Sequence, residues 1–71
     1  MSIDLNEQFI PLNDVIQKTS LSRSSIYELV GKGEFPSPVP IRRRKRAWLL
    51  SEVTTWMETR LTERDHHLRG R

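Results

Sequence analysis

The hydrophobic residues in the first half of the chain fall into two short blocks with helical spacing, which an interruption at residues 19–21 separates. The first block predicts a helix over about residues 14–19, with Asn13 as its N-cap. The second block predicts a helix over residues 23–32, because Ser22 is a favourable N-cap and apolar positions follow at i, i+3 and i+4. Two short helices joined by a tight turn form the helix-turn-helix arrangement.

The apolar side chains of these helices and of the turn between them are spaced to close into one small core. We expect five residues in this core: Val15, Ile16, Leu21, Ile26 and Val30. Gly31 and Gly33 follow, and one of them can adopt the left-handed conformation that ends the second helix. The first helix has barely two turns, so tertiary packing has to hold it in place.

The second half of the chain predicts a β-hairpin. Pro36 and Pro38 exclude a helix at this point, since each lacks an amide donor and has a fixed φ. Residues 39–41 and 46–49 read as two short strands, and residues 42–45 would form the hairpin tip. The tip lacks the Asn-Gly or Asp-Gly pair of a tight turn, so its geometry stays open.

A third helix follows the hairpin, with Ser51 as its predicted N-cap. Its apolar stripe consists of Val53, Trp56, Met57 and Leu61. We interpret Phe35, Trp48 and Trp56 as core residues. The alternative for the two tryptophans is a stacking platform for single-stranded bases.

These elements predict a mainly α fold with a small β-hairpin, that is, a winged helix-turn-helix of three helices plus a wing. We expect one domain at residues 9–65, a flexible N-terminus at 1–8 and a disordered tail at 66–71. The chain has no cysteine, and we expect no metal and no cofactor. No apolar run approaches membrane-spanning length, so we expect a cytoplasmic, nucleoid-associated protein that contacts neither a membrane nor a small-molecule substrate.

The positive charge of the chain is concentrated in one place. Twelve Lys and Arg residues against nine Asp and Glu give a net charge of +3, and five of the twelve lie at residues 42–46, in the sequence RRRKR. Without these five the remaining charge is −2, so the basic character is local. Adjacent like charges repel one another, and a polyanion such as nucleic acid is the obvious compensating partner. A solvated basic loop without a partner is the alternative.

The first turn of the second helix carries small hydroxyl side chains and one arginine. In helix-turn-helix proteins this part of the second helix reaches base edges and phosphates. Arg23 could bind a guanine or a phosphate, and the helix N-terminal amides could bind phosphate oxygens. The candidate DNA-binding residues are Ser22, Arg23, Ser24, Ser25, Tyr27, Glu28, Lys32, Arg42, Arg43, Arg44, Lys45 and Arg46. For each serine, helix capping or solvation alone is the alternative.

Three blocks of the chain also resemble AlpA-type phage regulators. Residues 19–27 (TSLSRSSIY) are similar to the family segment TGLSRSTIY, and residues 33–39 (GEFPSPV) resemble its link GxFPxPV. Residues 47–56 (AWLLSEVTTW) resemble its closing segment xWxxxEVxxW. The resemblance covers about residues 9–61. It implies a MerR-like winged helix-turn-helix related to small excisionases, with sequence-specific DNA binding in prophage or integrative-element regulation.

The chain departs from this family pattern at two points. Ser20 stands where the family usually has glycine, which costs little unless the position needs a positive φ. The RRRKR run is more basic than the usual wing, which would mean stronger backbone affinity or less sequence discrimination.

Taken together, these features predict a regulator that binds double-stranded DNA. The helix at 23–32 would enter the major groove and the wing at 42–46 would hold backbone or minor groove, with self-association on DNA or an integrase as further partners. The alternative is a protein-interaction adaptor whose basic hairpin binds an acidic protein surface, and RNA binding is a third reading. We expect no enzymatic activity, because no catalytic grouping or phosphate-cradling glycine loop is present.

Overall fold

A computed structural model, which describes residues 7–69, shows a small antiparallel sheet with three helices packed on one of its faces. The fold is a winged helix-turn-helix, mainly helical, as predicted. The elements in chain order are β1 (Phe9–Ile10), α1 (Leu12–Thr19), α2 (Arg23–Gly31), β2 (Val39–Arg42), β3 (Lys45–Leu49) and α3 (Leu50–Arg69). In this part of the chain no helix combines the length and the hydropathy that crossing a bilayer would need.

The sheet has three strands in the order β1-β3-β2, one more than the predicted hairpin. The added strand β1 has two residues and pairs with the end of β3, where Ile10 lies opposite Trp48 and Phe9 opposite Leu49. Alternation along the strands places Ile10 and Trp48 on the helix side of the sheet. A run of two residues is too short to show a period-2 pattern, so the pattern of the sequence did not predict this strand.

The core lies between the helix-facing side of the sheet and the three helices. Four of its side chains are fully buried: Val15, Ile26, Trp48 and Val53. Ile10 and Phe35 join them, and Ile16, Leu21 and Val30 pack against the cluster from its edge. The predicted core of the helix pair is therefore confirmed, as are the core positions of Phe35 and Trp48. Trp56 is half-buried against the same cluster.

The turn between α1 and α2 depends on a left-handed residue. Ser20 has φ 63° and ψ 15°, and its amide donates to the carbonyl of Ile16 at 2.8 Å. Thr19 supports the turn, since its hydroxyl donates to the carbonyl of Val15 and accepts from the amide of Leu21. This position therefore does need a positive φ, the condition under which serine in place of glycine is unfavourable.

Helix α1 begins earlier than the sequence pattern predicts. It starts at Leu12, so Asn13 lies inside the first turn and the predicted N-cap is wrong. The cap position belongs to Pro11, whose extended backbone aims its carbonyl at the amides of Asp14 and Val15, at 3.0 and 3.1 Å. The proline ring fixes φ, here at −76°, and the proline side chain itself offers no acceptor for a cap hydrogen bond.

Helix α3 is capped from the other end of the chain. The helix starts at Leu50, so the prediction that Ser51 is its N-cap is wrong. Instead, the carboxylate of Glu7 accepts from both the amide of Ser51, at 3.1 Å, and its hydroxyl, at 2.5 Å. The carbonyl of Gln8 accepts from the amide of Leu50 at 2.8 Å, which extends the β1–β3 pairing into the helix start. The hydrogen bonds from the hydroxyl and the amide of Ser51 lower the pKa of the Glu7 carboxyl, since both stabilise its ionised form.

Helix α3 also ends later than expected. The sequence pattern predicts disorder from His66, whereas the helix continues through Arg69. An ion pair between Arg60 and Glu63, three residues apart at 2.8 Å, supports this polar second half. The buried apolar stripe of α3 is shorter than predicted, because Leu61 is 51% exposed and lies beyond the core. Of the segment expected to be flexible, residues 1–6 lie outside the described part.

Candidate nucleic-acid interface

The exposed face of α2 is polar, whereas its buried face is apolar. Arg23, Ser24, Tyr27 and Glu28 are exposed, and their spacing of one, three and one residues places them on one side of the helix. Ile26 faces the core from the opposite side. The first turn therefore presents a guanidinium and a hydroxyl beside the helix amides, a combination suited to phosphate oxygens and base edges.

Two serines at the start of α2 satisfy each other. The hydroxyl of Ser22 accepts from the amide of Ser25 at 3.1 Å, which confirms the predicted N-cap, and the two hydroxyl oxygens lie 3.0 Å apart. Ser25 is also half-buried. The capping role that the sequence offered as an alternative is therefore present at Ser22, which is exposed like Ser24, and Ser24 lies outside this pair.

Near its C-terminus, the exposed face of α2 carries an ion pair. The ammonium group of Lys32 lies 3.4 Å from the carboxylate of Glu28, one turn earlier, and both side chains are more than half exposed. Such a pair at the surface is worth only a few tenths of a kcal/mol, roughly. The pair can therefore open readily when a stronger anion approaches the lysine.

The wing consists of β2, β3 and the two-residue turn Arg43–Arg44 between them. Arg42 lies opposite Lys45 next to the turn, and Pro40 opposite Arg46. Ile41 has no partner between these two pairs and forms a β-bulge. The pattern of the sequence did not predict this irregularity. All five cations are exposed, and none of them forms an ion pair with a residue of the described chain.

The cations of the wing point to both sides of the sheet. Strand alternation puts Arg46 on the same side as Trp48, towards the helices, and Lys45 on the outer side with Ala47. Arg43 and Arg44 project from the turn itself. One flat anionic surface therefore cannot contact all five.

Tyr27 joins α2 to the wing. Its ring packs edge-on against the ring of Trp48 in β3, with ring centroids 6.1 Å apart, while 40% of the residue stays exposed. This contact connects the exposed face of α2 to strand β3, which leads to the cationic turn. The helix and the wing, which carry the candidate residues, are therefore linked by a direct side-chain contact.

The link between α2 and β2, residues 32–38, is fixed at its start and in its middle. At its start Gly33 has φ 74°, and the amides of Gly33 and Glu34 donate to the carbonyls of Val30 and Leu29, at 3.0 and 2.8 Å. This pair of hydrogen bonds is the Schellman motif, so Gly33 supplies the left-handed residue that was predicted to end the helix.

Further along, the link is held by two tryptophan side chains. The indole N–H of Trp56 donates to the carbonyl of Glu34 and that of Trp48 to the carbonyl of Pro36, each at 2.8 Å. Phe35 lies between the two carbonyls, buried, with its ring 4.9 Å from that of Trp56. Sequence reasoning assigned these aromatic residues to the core but missed their hydrogen bonds. The signal was present: two prolines deprive the link of donors, and two indoles follow.

Two comparisons with known proteins found similar sequences. The family model described as "Prophage CP4-57 regulatory protein (AlpA)" matches residues 8–61. The chain is also similar to a protein of Enterobacteria phage P4 described as "Uncharacterized protein ORF88", with 48% identity over 58 residues. That match covers 82% of the chain and 66% of the phage protein, so the chain spans just under two thirds of this relative.

Proposed function

The chain belongs to the AlpA family of prophage regulatory proteins, and from this premise we propose that it binds double-stranded DNA sequence-specifically to regulate prophage or integrative-element genes. The observation that carries the proposal is the contact of Tyr27 with Trp48, which connects the exposed polar face of α2 to a wing whose five cations form no ion pair with any described residue. Transcriptional regulation and control of excision are both outputs of such a protein.

In this proposal α2 enters the major groove. Arg23 has the fork of donors that matches a guanine edge or a phosphate, and Ser24 lies beside it at the N-terminal end of the helix. Tyr27 offers its hydroxyl to a phosphate while its ring stays on Trp48. Lys32 leaves its pairing with Glu28 for the DNA backbone at the far end of the helix.

The wing holds backbone or minor groove. The turn residues Arg43 and Arg44 reach furthest from the sheet, and Arg46 lies on the helix side, so about three cations can contact one duplex together with α2. The remaining wing cations stay in solvent. One domain of this size covers a small area, roughly 600–1,000 Å² of protein surface, so tight binding would need several copies on one DNA.

The salt dependence of binding tests this proposal. If helix and wing neutralise about six phosphates, log K falls with log salt with a slope of roughly −5. Fluorescence-anisotropy titration of a pool of random duplexes at about 50 and 200 mM salt measures that slope. Recovery of enriched sequences from the pool would identify the site. Absence of duplex binding at the lower salt would contradict the proposal.

A second candidate function, protein interaction, is favoured by the outer side of the sheet. Phe9 and Ile41 are 47% and 40% exposed there, and together with Pro11, Lys45 and Ala47 they line a depression of about 250 Å³. An apolar floor beside a cation suits a partner segment that carries an apolar side chain next to a carboxylate. If duplex binding fails, capture of an acidic protein by the wild-type chain but not by Ile41→Asp would favour this function.

A further inference from the structure

We propose that Trp56, together with Trp48, is a positioning residue for DNA recognition, because its indole N–H fixes the link and thereby sets the wing relative to α2. This inference rests on the proposed function. Neither side chain needs to touch DNA in this role. Trp48 is fully buried, and the N–H groups of both indoles point at the protein backbone.

The link depends on these two donors. Pro36 and Pro38 have no amide hydrogen, so this segment cannot organise itself through a regular pattern of backbone hydrogen bonds. The carbonyls of Glu34 and Pro36 are instead held by side chains from two different elements, α3 and β3. Phe35, the residue between them, is buried in the core, so three consecutive residues of the link are fixed.

The link is also the covalent connection between the two parts of the proposed DNA surface. It leaves α2 at Lys32 and enters the wing at Val39. In addition to this connection, Tyr27 of α2 packs edge-on against Trp48 of the wing. A link held at alternate carbonyls therefore keeps the wing at one distance and angle from the helix.

Loosening the link should affect recognition differently from removing charge. The cations remain on the wing and still attract phosphates, so the salt dependence of binding stays the same. What is lost is the fixed geometry that lets helix and wing engage one sequence together. The expected signature is a lower ratio of cognate to random affinity with an unchanged salt slope.

The test compares Trp56→Phe with the wild type on two duplexes of equal length, one selected by the wild type from a random pool and one of random sequence. Phenylalanine keeps an aromatic ring beside Phe35 and removes the N–H that holds Glu34. We expect the affinity ratio to fall about three- to tenfold, the equivalent of one lost hydrogen bond. The salt slope on random DNA should not change.

Two control variants separate positioning from other effects. Arg60→Gln removes the guanidinium that lies 5.3 Å from the centre of the Trp56 ring but leaves the indole N–H in place. Val15→Ala removes core volume from α1, far along the chain from the link. Both should keep the wild-type affinity ratio at a temperature where circular dichroism shows each variant folded. A ratio that falls equally in Val15→Ala would assign the effect to general destabilisation and overturn the inference.

A second variant tests the link without changing an indole. Pro36→Ala keeps the carbonyl that Trp48 holds but frees φ, and it should lower the affinity ratio in the same direction. An unchanged ratio in both Trp56→Phe and Pro36→Ala would overturn the inference while leaving the proposed function intact. If the wild type itself shows no preference for the selected duplex, the proposed function fails, and the positioning role fails with it.

Discussion

Two regions of the molecule differ in where their hydrogen bonds and charges find partners. Around the link and at the start of α3, side chains bond to the chain itself, as Trp56 does to Glu34 and Glu7 to Ser51. On the wing and at the start of α2, Arg23 and the five wing cations form no ion pair with any residue of the described part. The first set holds the fold together, and the second is available to a partner.

This difference makes a pair of opposite expectations. Changes to the inward-bonded set should lower stability, and changes to the unpaired cations should lower DNA affinity at constant stability. Exposed substitutions away from packed or capped positions usually alter stability by only about 0.5 kcal/mol. Five predictions test this difference, and they are ordered from the largest expected effect on binding or stability to the smallest.

Neutralising the turn of the wing should have the largest effect on DNA binding. In Arg43→Gln/Arg44→Gln two phosphate contacts are lost, so the slope of log K against log salt should flatten from about −5 to about −3. Thermal unfolding should not change. The matched control Arg60→Gln/Arg64→Gln removes the same charge from α3. Equal flattening by this control, measured by the same anisotropy titration, would remove the wing from the interface.

Replacing Arg23 tests base recognition. Arg23→Ala should cost about 1–3 kcal/mol on the selected duplex and much less on a random one, if its guanidinium reads a base edge. Urea unfolding should give the wild-type midpoint, because Arg23 forms no ion pair in the described chain. Competition titrations on both duplexes provide the comparison. Equal losses on the two would make Arg23 a phosphate contact.

Two serines in the same turn should separate the inward and outward sets. Ser22→Ala removes the cap of α2 and should lower the free energy of unfolding by about 1 kcal/mol, or roughly 4–8 °C in Tm. Ser24→Ala, at an exposed position without that cap, should leave Tm unchanged. Calorimetry on both variants decides the matter, and a similar loss in Ser24→Ala would show that capping is not what Ser22 contributes.

Relieving the left-handed residue should stabilise the domain. Ser20→Gly places the residue without a Cβ penalty at φ 63°, and a gain of about 0.5–1 kcal/mol is expected after the entropy cost of glycine. Ser20→Ala should give no such gain. The midpoint of urea unfolding measures both, and a gain shared by alanine would point away from backbone strain.

The hydrogen bonds of Glu7 predict a small pH dependence. Since the folded-state pKa lies below the ordinary 4.5, the stabilisation is present above that value and is lost as pH falls through the lowered pKa. In Glu7→Gln this part of the acid destabilisation should be missing. Tm measured between about pH 3 and 7 checks it, with Glu52→Gln controlling for a charge in the same turn of α3. An acid slope identical to that of the wild type would exclude the role of Glu7.

Sequence reasoning succeeded where the determining contacts are local. The Ser22 cap, the Gly33 stop and the helix-turn-helix core follow from residues within a few positions of one another. It failed where the partner is distant. Helix α3 is capped by a residue 44 positions earlier, and strand β1 is recognisable only from its pairing with β3. Neither contact leaves a mark on the pattern of nearby residues.

The candidate site was predictable as a set of residues and less so as a geometry. Composition and spacing indicated the exposed cations and the polar turn of α2, because charge is a property of the sequence itself. The bulge at Ile41, the Tyr27–Trp48 contact and the indole bonds to the link depend on how strands and helices meet. The left-handed Ser20 was indicated only through comparison with a family in which glycine is usual.

The distant partner of α3 also has a consequence for the order in which the domain forms. Contacts of the helix-turn-helix close loops of a few residues, whereas Glu7 and Ser51 close one across 44 positions. Closure entropy grows with the logarithm of loop length, so this step costs about 2 kcal/mol more than a turn. We infer that α2 can collapse onto α1 early, and that the return of the first strand completes the fold. The residues that come last would then govern how slowly the domain comes apart.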